Sequence, residues 1–185
     1  MSVFNLYLDR AETFSVDDKS DELMIATRKA TSSSTSAMNN DKMALMQDDT
    51  SYSNGDLVTN KSTGVQYFIV AKQSSSDANQ CQLKRVNTTV DIVKLTPKFT
   101  NGAKSGSEET SVYSSQPAVQ KVVSNTSKVF DSGLLPDTVR KFILPNLTIE
   151  EGYRIKCSGE NYWVTAVDAV TYEGLLEVQV KSDNR

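Results

Sequence analysis

The chain has 185 residues, 38% hydrophobic and 23% charged, with a net charge of −3. That is enough to bury a core as one domain or two small ones, each half being marginal alone. No apolar run is long enough to cross a bilayer, and no basic block or Arg-rich stripe exists to attract nucleic-acid phosphates. There is no histidine, which excludes Ser-His-Asp and Cys-His catalysis and the commonest transition-metal ligand.

Residues 1–36 read as an N-terminal arm with helical character. Phe4, Leu6, Tyr7 and Leu8 lead through a charged run to Phe14 and Val16. Asp21 is placed to cap a short helix carrying Leu23, Met24, Ile25 and Ala26, with Arg28 and Lys29 at its carboxyl end. The opening MSVFNLYLDR lacks a basic segment followed by an apolar core, so no signal peptide is expected. Cys81 and Cys157 are then expected to be free buried thiols in strands. The polar run Thr31 to Asp41 reads as a linker or an exposed loop.

A first β-unit is predicted over 37–97. Met43 and Leu45 open it, a long turn follows through Asp56, and Asn87 to Leu95 adds an alternating strand that Pro97 closes. Residues 98–135 read as a long loop, most plainly from Thr100 to Gln116, with a strand-like part at Val119, Val122, Val123, Val129 and Phe130. A second β-unit is predicted over 136–185, entered by a helical or turn element from Pro136 to Phe142 that Pro145 ends.

The two units share a pattern. Gly55 to Val86 and Gly152 to Lys181 each begin with a Gly and a short run, turn at a second Gly, and continue into an aromatic pair, Tyr67-Phe68 and Tyr162-Trp163. Tyr67 lies 14 positions before Cys81, as Tyr162 does before Leu176, so CQLKRV and LEVQVK align without a gap. Branched and aromatic residues bounded by Gly, Ser, Asn and Asp suit strands and turns. The expected fold is mainly β: two related small β-units, barrel- or sandwich-like, with long loops and short helical pieces.

Candidate chemistry is sparse. No CxxC zinc pattern and no Gly-rich phosphate loop is present, so no cofactor or metal is expected. The adjacent acids Asp17-Asp18, Asp48-Asp49, Glu108-Glu109 and Glu150-Glu151 read as solvated turn charge, because strand neighbours point to opposite faces. Tyr67, Phe68, Tyr162 and Trp163, with Gly55 and Gly152, are the structural and interface candidates. A period of two gives Tyr67 and Tyr162 one environment and Phe68 and Trp163 the other. No enzyme activity is expected. A carboxylate-dependent hydrolase of cell-wall glycan would need two acids facing each other across a cleft, about 5 to 9.5 Å apart.

Three stretches carry a resemblance: FNLYLDRAETFSV at the start, Gly55-Asp56 through QYFIV and QCQLKRVN, and the ending YEGLLEVQVKSDNR. They are similar to parts of the head-completion or head-closure neck proteins of tailed bacteriophages. The resemblance implies a virion protein assembled in the host cytoplasm, forming a ring with copies of itself between portal or adaptor and tail or tail terminator. Packaged DNA would pass nearby without specific binding, and no membrane is involved. Another tail or baseplate ring protein is the alternative. Open strand edges on small β-units would supply the ring contacts.

Overall fold

The computed structural model describes residues 3–28, 41–75, 78–124 and 133–183. It is mainly β. The first half contains a 3-10 helix (Val3–Arg10) and strands β1 (Glu12–Ser15), β2 (Glu22–Arg28), β3 (Asp41–Met46), β4 (Leu57–Asn60), β5 (Gln66–Ser74) and β6 (Asn79–Arg85). The second contains β7 (Thr88–Thr100), β8 (Ala103–Val122), β9 (Arg140–Pro145), β10 (Arg154–Cys157), β11 (Glu160–Asp168) and β12 (Leu175–Ser182). Two compact units result, one up to Val86 together with Tyr172–Leu175, the other Asn87–Thr171 with Leu176 onward.

Each unit is a closed antiparallel barrel, ordered β1-β2-β3-β6-β5-β4 in the first and β7-β8-β9-β12-β11-β10 in the second. Counted within each unit, the two orders are the same. The details repeat as well. Leu57 opposes Phe68 as Arg154 opposes Trp163, and Val58 opposes Tyr67 as Ile155 opposes Tyr162. A bulge falls after Ile69 in β5 and after Val164 in β11, adding local twist at matching places. Gly55 and Gly152 both have φ of +87°, a conformation that favours glycine. Their amides donate to Ile69 O at 2.8 Å and Val164 O at 3.0 Å.

The cores correspond position by position. Phe14, Ala44, Met46, Val58, Tyr67 and Ile69 are buried in the first barrel. Val90, Phe142, Leu144, Ile155, Tyr162 and Val164 stand at the matching places in the second. Each Tyr packs against a Phe from a different strand: Phe14 with centroids 6.5 Å apart in one barrel, Phe142 at 5.8 Å in the other.

Several sequence expectations change. The third strands do not align without a gap, because Cys81 opposes Lys72 whereas the residue opposite Val167 is Val178. Between matching pairs, six residues (60–65) separate Thr59 from Gln66 and four (157–160) separate Lys156 from Asn161, while six (74–79) separate Gln73 from Gln80 and eight (169–176) separate Asp168 from Glu177. The two changes cancel in the spacing. Leu23 to Arg28 lie in β2 instead of a capped helix, because Met24 and Ile25 bury opposite faces, a strand's period. The described part of the arm therefore belongs to the first barrel apart from the 3-10 helix, which packs on β2. Most of the linker expected over Thr31 to Asp41 lies outside the described residues, as do Val129 and Phe130.

The first unit ends at Val86 rather than 97, and β7 opens the second. Pro97 does not end β7; it sits opposite Ser107, where β10, which reaches only Asp91 to Val93, leaves its other side unpaired, a place that tolerates a missing N–H. The expected loop from Thr100 to Gln116 is a β-hairpin, and Arg140 to Pro145 is strand β9 rather than a helical turn. Closure also removes the open sheet edges expected of two small β-units, except along the outer part of β7 and β8.

Both cysteines are free and buried. Burial pushes the Cys81 thiol up to about 12, leaving it unreactive. Tyr52 is fully buried in the first core; its hydroxyl donates to Phe14 O at 2.7 Å and accepts from the Glu22 amide at 3.1 Å. Burial raises this phenol to about 12, so it stays a neutral donor. Tyr52→Phe strands both groups and should cost about 1–3 kcal/mol, read as a lower urea midpoint at unchanged slope; an unchanged midpoint would show that the hydroxyl ties nothing together.

Candidate functional site

The second barrel carries one element that the first does without. Ser15 opposes Thr59 as Asp91 opposes Lys156, which makes Phe14 and Val90 equivalent. Between Phe14 and its β2 partner Glu22 lie seven residues (15–21); between Val90 and its β8 partner Gln116 lie twenty-five (91–115). The surplus is the outer part of the β7–β8 hairpin. Its tip is Asn101-Gly102, with φ of +52° and +79°, the two left-handed positions of a type I′ turn.

Along β7, Val93, Leu95, Pro97 and Phe99 share one face, and the register slips fall on β8, where residues near 114, 112 and 105 are extra. The apolar row runs from buried Val93 to Phe99, which is 64% exposed.

An ionic cluster holds the hairpin's base. Arg154 on β10 grips Asp183 with Nε at 2.9 Å and Nη2 at 2.8 Å, while Nη1 donates to Glu109 of β8. Lys156 Nζ donates to the other Glu109 oxygen. The Asp183 side chain is 1% exposed. Burial works against the charged guanidinium, but Asp183 and Glu109 outweigh it and hold Arg154 above its ordinary range. The hydrogen bond from Lys156, helped by Arg154, keeps the Glu109 carboxyl below its own.

Where β8 ends, away from the hairpin tip, is a groove of about 650 Å³. Its walls include Val122 at the end of β8 and Val123 after it, Val139 and Arg140 entering β9, Glu160 and Tyr162 of β11, and Asp183, the partner of Arg154. Arg140 Nε donates to the Tyr162 hydroxyl at 3.2 Å, and that hydroxyl donates to Glu160. The bond to Tyr162 and the charge of Glu160 hold the Arg140 guanidinium above its ordinary range. Val122 is 70% exposed.

No protein-family model and no curated protein matches this chain. The geometry alone therefore places the residues singled out by sequence. Tyr67 and Tyr162 are in the two cores, and Phe68 and Trp163 lie on the outer faces, Phe68 buried at 1% and Trp163 half-buried. A Cβ on Gly152 would meet the Trp163 ring at 3.5 Å. Asp17-Asp18, Asp48-Asp49 and Glu150-Glu151 are exposed at turns. Among the described residues no three of His, Cys, Asp and Glu are placed to hold a metal ion, and no helix is long and apolar enough to cross a membrane.

Sequence reasoning missed the hairpin, although Asn101-Gly102 was its signal, and missed Arg154 and Asp183, whose spacing in the chain carries none; Glu108-Glu109, expected as solvated turn charge, lies in β8 with Glu109 in the ionic cluster.

Asp183→Ala leaves Arg154 buried without the carboxylate oxygen that accepts from both Nε and Nη2 and should cost about 3–5 kcal/mol, measured by equilibrium unfolding. The folded Glu109 carboxyl titrates below its unfolded value of about 4.3. Its stabilisation is therefore complete above that pH and is lost as pH falls through the folded value. Glu109→Gln should lower stability at pH 7 and flatten the acid limb of a denaturation series; parallel acid limbs would remove Glu109 from the cluster.

Proposed function

We propose that this chain is a structural subunit of a tailed-bacteriophage neck, one copy of a ring between portal and tail that closes the filled head and docks the tail. The hairpin carries the reading. One barrel closes with a seven-residue connection, while its sister spends twenty-five on a projection with exposed Phe99. An element that its own barrel does not need is best explained by another chain.

The three stretches that resemble neck proteins fall on the 3-10 helix with β1, on β4 to β6, and on β12 with the turn before it. They therefore lie mainly in framework strands, and the hairpin is what would adapt the framework to its neighbours. Closed barrels suit a load-bearing ring, since they leave few strand edges for indiscriminate pairing. A chain of net charge −3 beside packaged DNA repels the polyanion and lets it slide.

Particles assembled without this protein should be filled heads that lose their DNA and carry no tails in electron micrographs. Sealed heads with attached tails and defective tips would replace the neck by a baseplate position, and normal particles would sink both.

A further inference from the structure

The hairpin tip and the groove lie at the two ends of β8. β8 runs from Ala103 at the hairpin tip to Val122 at the groove, twenty residues along one strand. We propose that the hairpin tip of one copy seats in the groove of a second copy, with Phe99 as the knob. Because the two surfaces differ and lie at opposite ends, a chain cannot satisfy itself, and every bound pair still offers one free knob and one free groove. Such a heterologous contact repeats, closing into a ring where the rotation allows.

The chemistry of the two surfaces matches. Outward of the Pro97–Ser107 pair the hairpin carries Lys98 and no acid, while the Glu160 side chain at the groove is 64% exposed. Val122, Val123 and Val139 supply apolar wall. Arg140, steadied by Tyr162, offers a guanidinium to a seated aromatic face. The volume of about 650 Å³ falls within the range of sites that enclose a small ligand, which is room for a Phe ring and the strand beside it.

Docking uses the hairpin's face, because its edges are protected. Pro97 removes a donor from β7, and the extra residues of β8 at three register slips bend the other edge, both recognised guards against edge pairing. The inference goes beyond the neck reading and stands without it, since it concerns only two copies of this chain.

Sedimentation velocity on the purified full chain, over a wide concentration range, tests it with two variants at exposed positions, Phe99→Ser and Val122→Glu. The wild type should associate by mass action into species larger than dimers. Each variant alone should associate about 10- to 100-fold more weakly, the loss of one buried Phe contact. An equal mixture should form one-to-one dimers that grow no further, because the first variant keeps its groove and the second its knob. A wild type that stays monomeric at every concentration, a variant that associates like the wild type, or a mixture without dimers would each overturn the proposal. Should either substitution shift the unfolding midpoint, a chain with residues 97–107 replaced by an Asn-Gly turn between the paired Thr96 and Glu108 takes the place of Phe99→Ser.

Discussion

Each barrel depends on one short seam. In the first, β1 meets β4 at only Phe14 opposite Asn60 and Ser15 opposite Thr59, extended by the Lys61 amide donating to Thr13 O at 2.9 Å. In the second, three residues of β7 meet β10. Without the seam the same strands form an open curled sheet with two bare edges and half a core; with it every inward side chain faces another across the lumen. Asn60, 2% exposed, braces the first seam, its Oδ1 accepting the amides of Ser62 and Thr63 at 3.0 Å while its Nδ2 reaches Glu12. A buried amide with this many partners fixes the turn beside the closure as well as the closure itself.

A six-stranded lumen has little room, so volume gained at one position must be given up at another. The sister cores show that exchange. Phe14 in the first barrel stands where the second has Val90, and Met24 where it has Ala118; Ala44 stands where the second has Phe142. The aromatic partner of the central Tyr thus moves from β1 to β9, two strands round the order, and the Tyr stays. Tyr67 and Tyr162 are the invariant of the arrangement because the bulge two to three residues later sets their strand's twist in both copies.

This also explains what could be read from the chain. The β4–β5 and β10–β11 pairs were legible because Gly, turn and aromatic pair recur close together, and local spacing survives in sequence. The β1–β3 half of the repeat was not, since Phe14, Met24 and Ala44 match Val90, Ala118 and Phe142 only after the fold has paired volumes across the lumen. A gap-free alignment of the third strands came from two length changes of opposite sign, which spacing cannot separate. The hairpin hid for another reason: from Thr100 to Gln116 its composition is that of a solvated loop, and both faces of its outer part are exposed, so the hydrophobic alternation that marks a half-buried strand is missing from β8.

The ionic cluster is best understood against the same framework. Arg154 occupies the place of Leu57, and Asp183 that of Val86, whose amide donates to Gln66 O at 2.9 Å just as the Asp183 amide donates to Asn161 O at 3.0 Å. An apolar pair serves the barrel without the projection, and a buried ion pair serves the barrel with it. As a source of stability alone the exchange makes little sense, because well-packed apolar residues commonly match or exceed a buried ion pair. What the charges add is direction. Arg154, held by Asp183, presents Nη1 to Glu109 on the hairpin, and Lys156 closes the same carboxylate from the other side. A Leu at 154 would let the hairpin base swing over a greasy surface; a guanidinium already fixed in plane sets where Glu109 must sit, and so the angle at which the chain beyond it, Leu95 and Pro97 to Phe99, leaves the barrel.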